Sequence, residues 1–168
     1  MSFQFDKLRV LVVEDTIPMR KLIVAVLGAL GIKKIVQAKD GEQAFQKIKN
    51  TPIDLVITDW LMEPVNGIEL TKMIRMNDDS PNRFTPIIMV TGYNALKRVE
   101  DARDAGVTEF LIKPFTANDI GKRIAYTINK PRDFIDAPNF FGPDRRRINL
   151  PNYKGPFRRE AENKIDMT

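Results

Sequence analysis

The sequence predicts an α/β fold in which a parallel sheet is covered by helices on both faces. Short apolar runs rich in branched residues alternate five times with longer segments whose apolar residues recur at helical spacing. Such runs are typical of strands buried on both faces, and their alternation with helices is typical of βα units. Because crossovers between parallel strands are right-handed, few topologies remain. We predict the flavodoxin-like (βα)5 arrangement, a doubly wound sheet with strand order 2-1-3-4-5.

Each predicted element has its own signals in the sequence. The predicted strands are residues 7–13, 34–38, 53–59, 86–91 and 108–112. The predicted helices run from 18 to about 31, from 40–41 onward, over 67–75, over about 95–105 and over about 118–129. Pro18 fits the first turn of a helix that Thr16 could cap, and Gly31 is a typical helix end.

Composition excludes several classes of protein. The chain has 168 residues, enough for one domain with a substantial core, and contains no cysteine and no histidine. Disulfides, thiolate chemistry, zinc hydrolases and Ser-His triads are therefore excluded. No stretch is apolar enough to span a membrane, and the first residues lack the layout of a signal peptide. We expect a cytoplasmic protein without membrane insertion.

Polar residues stand at the ends of four predicted strands. Glu14 and Asp15 follow the first strand, Asp59 ends the third, Thr91 ends the fourth and Lys113 follows the fifth. The carboxyl ends of parallel strands meet at one edge of the sheet, where open α/β folds keep their ligand sites. We therefore predict that these five side chains form one site.

The chemistry of these residue types indicates a metal and a phosphoryl group. Three neighbouring carboxylates repel each other unless a cation joins them, and Mg²⁺ prefers such oxygen ligands. An aspartate can act as a nucleophile and form an aspartyl phosphate. The Lys113 ammonium and the Thr91 hydroxyl could then hold the phosphoryl oxygens. Any one of these acids alone would be interpreted as a solvated loop charge.

At these residues the chain resembles the receiver domain of two-component response regulators, and the chemotaxis type in particular, over about residues 7–129. The resemblance implies that Asp59 is the phosphoacceptor. It also implies that Asp15, Asp59 and the carbonyl of Leu61 bind Mg²⁺, with Glu14 close by. The alternative is a pocket that no longer accepts phosphate. Since histidine is absent, the phosphoryl group would come from a separate histidine kinase.

The resemblance further implies a switch and a cis peptide bond. Thr91 and Phe110 occupy the positions of the family's switch residues, and the 113–114 bond would be cis, as X-Pro bonds can be. Two departures from the family pattern affect this region. Glu63 stands where the family usually has proline, with Pro64 one residue later, and Phe110 lacks the hydroxyl of the common tyrosine.

The sequence changes character at Pro131. Residues 130–168 contain repeated prolines and no sustained apolar periodicity, so we divide the chain into a receiver domain at 1–129 and an extended, largely irregular tail that is disordered without ligand. The tail contains a short repeat, because residues 140–146 and 153–159 share the pattern aromatic-x-Gly-Pro-x-Arg-Arg. It is too short for an enzymatic or DNA-binding domain.

The repeat predicts binding of cyclic di-GMP. Arginine forks fit phosphate oxygens and the edge of guanine, and aromatic rings stack on bases. At this point the chain resembles the CheY-like, arginine-rich proteins of alphaproteobacteria, whose basic extension binds this nucleotide and which act on the flagellar motor. The candidate ligand-binding residues are Phe140, Phe141, Asp144, Arg145, Arg146, Arg147, Tyr153, Arg158 and Arg159.

The function that follows is a non-enzymatic CheY-like effector that binds cyclic di-GMP and modulates a partner, which the resemblance implies is the flagellar motor switch protein at the motor or cell pole. One alternative is a response regulator driven by phosphorylation of Asp59, with a nonspecific basic tail. Another is nucleic-acid binding by the tail, which we do not expect. The tail aromatics, including Phe134, could also simply dock on the receiver. Partner docking is expected on residues 95–129.

Overall fold

The computed structural model describes residues 5–92, 96–145 and 163–167. Five strands belong to one sheet: β1 (Arg9–Val13), β2 (Lys34–Ala38), β3 (Leu55–Asp59), β4 (Ile87–Thr91) and β5 (Glu109–Ile112). The helices are α1 (Ile17–Ala29), α2 (Gly41–Asn50), α3 (Gly67–Met76), α4 (Leu96–Ala105) and α5 (Ala117–Asn129), and a short 3-10 helix covers Phe5–Lys7. No described helix is both long and apolar enough to cross a bilayer.

The sheet is parallel and has the order β2-β1-β3-β4-β5, which confirms the predicted topology. Its register determines which residues meet at the carboxyl edge. Val13 pairs with Thr58, and Asp59 with Val90. Thr91 pairs with Ile112, so Lys113 continues directly from that level. The last residues of β1, β3, β4 and β5 therefore end side by side.

Two apolar layers cover the sheet, because neighbouring residues of a strand point to opposite faces. In β1, Val10 and Val12 belong to the core formed with α1 and α5, whereas Leu11 and Val13 belong to the core formed with α2 and α3. All four are at most 1% exposed. Burial on both faces explains why the strand sequence is apolar throughout instead of alternating.

Capping groups mark where three helices begin. Asp40 accepts a hydrogen bond from the amide of Gln43 at the start of α2. Reciprocal capping boxes pair Asn66 with Glu69 in α3 and Thr116 with Asp119 in α5. Thr16 occupies the N-cap position of α1, as predicted, but its side chain makes no capping bond there.

Three short strands follow α5 in the part of the chain that the structure describes, and the sequence does not predict them. β6 (Phe134–Ala137) lies between β7 (Phe140–Pro143) and β8 (Asn163–Ile165) in an antiparallel sheet. The largely irregular tail thus contains short ordered strands at these residues, and the boundary at 129 and the disorder of the tail without ligand stay predictions. The strands are very short and β7 contains Gly142-Pro143, so no local pattern indicates a strand. Contacts with the receiver, and not the β propensity of the local sequence, therefore stabilise these strands.

The new sheet packs on an aromatic and arginine cluster at the amino edge of the main sheet. The rings of Phe134 and Phe141 lie 5.0 and 5.2 Å from the ring of Phe84, which precedes β4. The guanidinium of Arg75 lies 5.1 Å from the centre of Phe134, and that of Arg83 lies 3.5 Å from the centre of Phe141. The described C-terminal strands are thus packed on the receiver at the edge opposite Asp59.

Arg75 connects this cluster to the main sheet. Its side chain is 1% exposed and donates hydrogen bonds to the carbonyls of Gly106, Arg83 and Thr85, at 3.0, 2.7 and 2.7 Å. Burial lowers the pKa of Arg75 to about 9, so the guanidinium remains charged at neutral pH. Three backbone carbonyls and the face of the Phe134 ring stabilise this buried positive charge.

Candidate functional site

Three carboxylates meet at the carboxyl edge of the main sheet. Glu14 and Asp15 follow β1 directly and Asp59 is the last residue of β3. One carboxylate oxygen from each lies within 4.8 Å of the others. Glu14 is 1% exposed whereas Asp15 is exposed, so the cluster opens to solvent on the side of Asp15. The structure therefore brings together the acids that the sequence predicts at one site.

Glu14 is the most constrained of the three acids. Its Oε1 atom accepts hydrogen bonds from the amide and hydroxyl of Thr16, at 3.1 and 2.9 Å. Its Oε2 atom is buried and has no hydrogen-bond partner within the described residues. Burial, and next the negative charge of Asp59, raise the pKa of Glu14. A buried carboxylate oxygen without a donor is costly unless a cation completes its surroundings.

Lys113 supplies the positive charge of the site. Its Nζ atom lies 3.5 Å from Oδ1 of Asp59 and 3.7 Å from Oε2 of Glu14. These distances are longer than direct hydrogen bonds, so the ammonium acts as a shared counter-charge. The amide of Lys113 donates to the carbonyl of Thr91 at 2.8 Å, which fixes where the side chain starts. The Lys113-Pro114 bond is cis, as predicted.

The backbone around Asp59 is held in place by its neighbours. The Oδ1 atom of Asp59 accepts a hydrogen bond from the amide of Trp60 at 2.8 Å, and the Asp59 side chain is 13% exposed. Gly67 begins α3 and packs on this turn, donating its amide to the carbonyl of Trp60 at 2.8 Å. A Cβ atom at Gly67 would lie 2.2 Å from the carbonyl oxygen of Asp59. The sequence indicates Gly67 only as a helix start, so this supporting role is missed.

The two predicted switch residues lie next to the site. Thr91 is 2% exposed, ends β4, and its hydroxyl donates to the carbonyl of Gly92 at 3.4 Å. Phe110 in β5 is half-buried and packs against the buried cluster of Met89, Ala102 and Val107, as Trp60 also does. The turn after Asp59 and the edge strand β5 thus pack against the same small apolar cluster.

The loop after Asp59 carries the residues that depart from the family pattern. Leu61 is 61% exposed and Glu63 is exposed, and the Glu63-Pro64 bond is cis. Among the described residues, Glu63 does not belong to the cluster of acids that could hold a metal. The carbonyl of Leu61 as a third protein ligand stays a prediction.

The acid cluster fits a hard divalent cation. It offers oxygen atoms only, at least one of them buried without a hydrogen-bond donor within the described residues. The Lys113 ammonium balances at most one of the three carboxylate charges. Mg²⁺ accepts this combination of carboxylate, carbonyl and water ligands.

The predicted nucleotide-binding residues lie partly outside the described residues. Those outside are Arg146, Arg147, Tyr153, Arg158 and Arg159. Phe140 and Phe141 are 9% and 3% exposed, and in this conformation arginines cover their rings. Asp144 is 8% exposed, and its backbone amide donates to the carbonyl of Asp133 at 2.7 Å. The alternative that tail aromatics dock on the receiver therefore describes Phe134 and Phe141, which contact Phe84 and the receiver arginines, whereas Tyr153 lies outside the described residues.

A cleft of about 550 Å³ is lined by residues of β5 and α5. Its lining combines apolar and charged side chains, namely Glu109, Phe110, Leu111, Ile112, Asp119, Lys122, Arg123 and Tyr126. Ile112 and Tyr126 are 50% and 47% exposed. Arg123 pairs with Glu109 at 3.2 Å across the cleft floor.

A doubly wound sheet that places three acids, a threonine and a lysine in this order defines a class of signalling domain. Residues 10–125 match the response regulator receiver domain family, and the chain belongs to that family. Domains of this kind are typically signalling domains without enzymatic activity.

Within the family, the chain is similar to chemotaxis proteins. It is 35% identical over 118 residues to chemotaxis protein CheY1 of Helicobacter pylori, covering 70% of this chain and 94% of that protein. It is 32% identical over 117 residues to CheY-3 of Vibrio cholerae, covering 70% and 88%. The crystal structure of CheY4 of Vibrio cholerae superposes with a TM-score of 0.64 at 30% identity, covering 70% and 96%. The chain is thus a CheY-like receiver with a C-terminal segment beyond the matched family domain.

Proposed function

We propose that this chain is a phosphorylation-dependent response regulator of the chemotaxis type in which Asp59 accepts the phosphoryl group. The observation that carries the proposal is the position of the Lys113 ammonium, 3.5 Å from Asp59 and 3.7 Å from the buried oxygen of Glu14. An ammonium at that point can pair with an oxygen of a phosphoryl group on Asp59.

The remaining residues of the site have separable roles. Asp15, Asp59 and the carbonyl of Leu61 would hold Mg²⁺, which supplies positive charge to the phosphoryl oxygens when bound. Glu14 adds a buried negative charge that strengthens cation binding. The Thr91 hydroxyl, at the end of the neighbouring strand, would donate to a phosphoryl oxygen, and Phe110 would change its packing in response.

Beryllofluoride, which mimics a phosphoryl group on aspartate, tests this proposal with a built-in reporter. Trp60 is the single tryptophan of the chain and directly follows Asp59. Adding Mg²⁺ and then beryllofluoride should change its fluorescence in two steps. Asp59→Asn should lose the second step. A second step that persists in this variant would show that the mimic binds elsewhere.

The cleft between β5 and α5 is the proposed partner surface. Its exposed apolar residues, Ile112 and Tyr126, together with the exposed Lys122, suit an amphipathic segment that carries an acidic group, whereas Arg123 is already paired with Glu109. The flagellar motor switch protein is the proposed partner, a separate histidine kinase the proposed phosphate source, and the cytoplasm at the motor or pole the proposed location. We propose no enzymatic activity beyond loss of the bound phosphoryl group.

A second proposed function is binding of cyclic di-GMP by the arginine-rich segment. It rests on the repeat at 140–146 and 153–159, whose second copy and adjoining arginines lie in sequence between β7 and β8. Two arginine pairs provide charge for two phosphates and planar faces for two guanines. Because Phe140 and Phe141 are covered in this conformation, stacking of bases on them would require the rings to leave the receiver.

Calorimetric titration with cyclic di-GMP tests this second function. Replacing Arg145, Arg146 and Arg147 with alanine should abolish the binding heat. The matched control replaces Lys33, Lys34 and Lys39, three exposed receiver lysines, so that the same charge is lost far from the repeat. If both triple variants lose affinity equally, the tail is a nonspecific basic segment. Equal binding of a DNA duplex at low salt would indicate nucleic-acid binding instead.

A further inference from the structure

Arg145 is held by two contacts, although it is the first arginine of the tail motif. Its Nη1 atom donates to Oδ1 of Asp104, in the last turn of α4. Its guanidinium carbon lies 4.4 Å from the centre of the Phe140 ring. The Arg145 side chain is 16% exposed, compared with 54% for Asp104. Asp104 of the receiver and Phe140 of the tail thus partly cover the arginine, whereas Asp104 remains open to solvent.

These two contacts occupy the edge and one face of the Arg145 guanidinium, the parts that would bind a phosphate and stack on a guanine. A carboxylate accepts from the guanidinium edge in the way that phosphate oxygens do. The Phe140 ring occupies one guanidinium face, on which a flat base could otherwise stack. Asp104 also repels an approaching phosphate, because both groups are negative. Its contact with Arg145 therefore opposes an anionic ligand in two ways.

We propose that Asp104 competes with an anionic guanine ligand for Arg145, so that occupation of the tail site releases the end of α4 from this contact. The inference rests on the second proposed function and adds its regulation. Arg103 lies 3.9 Å from the same Asp104 oxygen, so the freed carboxylate keeps a cationic neighbour. Release is therefore feasible without leaving Asp104 isolated.

Coupling of this kind is reciprocal. If the ligand weakens the contact of Arg145 with α4, then any partner that engages Asp104 strengthens ligand binding by the same factor. An exposed ion pair of this type corresponds to a change of about two- to fivefold in affinity. The effect is small but lies within the precision of a titration with matched variants.

The test compares Asp104→Asn with Asp101→Asn in the full-length chain. Both variants remove one negative charge from exposed positions on α4, but of these two aspartates it is Asp104 that pairs with Arg145. We expect Asp104→Asn to bind cyclic di-GMP about two- to fivefold more tightly than the Asp101→Asn control. Binding that appears only in Asp104→Asn would also support the proposal. Equal affinity of both variants would overturn it and leave the second proposed function intact.

An NMR measurement that does not need the nucleotide distinguishes failure of the competition by Asp104 from failure of the second proposed function. The guanidinium NMR signal of Arg145, assigned with Arg145→Lys, should shift in Asp104→Asn and stay unchanged in Asp101→Asn. It should also respond to inorganic pyrophosphate at lower concentration in Asp104→Asn than in the control. If no protein binds the nucleotide, the second proposed function fails and the pyrophosphate response alone decides. An identical response in both variants would refute the competition.

Discussion

The Nζ atom of Lys113 lies 3.5 Å from Oδ1 of Asp59, so the cation from the end of β5 reaches the acid at the end of β3 across the intervening strand β4. The distance leaves the two groups associated but not directly hydrogen-bonded. This arrangement accounts for how a site with three acids remains compatible with folding. It also determines how the site should respond when one charge is removed.

Replacing Lys113 with methionine should tighten Mg²⁺ binding and destabilise the metal-free protein. Without the ammonium, repulsion between Glu14 and Asp59 is relieved only by the metal. We expect roughly a fivefold gain in Mg²⁺ affinity, followed through Trp60 fluorescence. Lys33→Met, which removes a charge from an exposed position, is the control. Unchanged affinity in Lys113→Met would mean that Lys113 does not neutralise the cluster.

The raised pKa of Glu14 predicts that the free energy of unfolding of the metal-free protein depends on pH. Burial and Asp59 raise the pKa of Glu14, so the folded state binds its proton more readily than the unfolded state. Stability should therefore rise as pH falls from neutral through the folded-state pKa toward the ordinary value of 4.5. Glu14→Gln should remove this contribution. Urea unfolding of metal-free protein measures it, and the same slope in both proteins would contradict the assignment.

The C-terminal strands should stabilise the receiver. Phe134→Ala removes a ring that contacts Phe84 and Arg75 and should lower the free energy of unfolding by about 3 kcal/mol. Tyr126→Ala, at a side chain that is 47% exposed, is the control and should have a much smaller effect. Denaturant unfolding provides the comparison. If the two changes cost the same, the strands do not pack on the receiver in solution.

The cleft beside β5 predicts a separation of binding from phosphorylation. Ile112→Asn should weaken the association with a motor switch protein, because it places a polar group on the exposed apolar surface. Phosphorylation of Asp59 should remain unchanged, since Ile112 is half exposed, lines the cleft and offers no polar group to the acid cluster. Parallel measurement of partner binding and phosphoryl uptake checks both. Loss of both together would indicate a folding defect.

The receiver could be predicted from sequence because its signals are local and regular. Strand ends fall at Asp59, Thr91 and Lys113, and a parallel topology then brings them to one edge. Strand order and strand ends alone therefore place these residues together, without knowledge of side-chain contacts. The lack of an exposed surface on either face of β1 likewise follows from its uninterrupted apolar sequence.

The C-terminal strands could not be predicted because their stability comes from distant residues. β6 pairs with β8, far along the chain, and Phe134 and Phe141 pack on Phe84. Nothing in the sequence distinguishes Arg75 and Arg83 from ordinary surface arginines. In the structure, however, their guanidinium groups lie over the rings of Phe134 and Phe141. Phe141 therefore has two interpretations from sequence, a stacking surface or a docked side chain. Its contacts with Phe84 and Arg83 show the docked arrangement, and stacking on a base stays a prediction.

Intact-mass measurement after incubation with acetyl phosphate tests the central claim most directly. With Mg²⁺ present, the protein should gain the mass of one phosphoryl group, located at Asp59 by peptide mapping. Chelation of the metal, or Asp59→Asn, should prevent the gain. A protein that gains no mass, or that gains it equally in Asp59→Asn, would contradict the assignment of Asp59 as the phosphoacceptor.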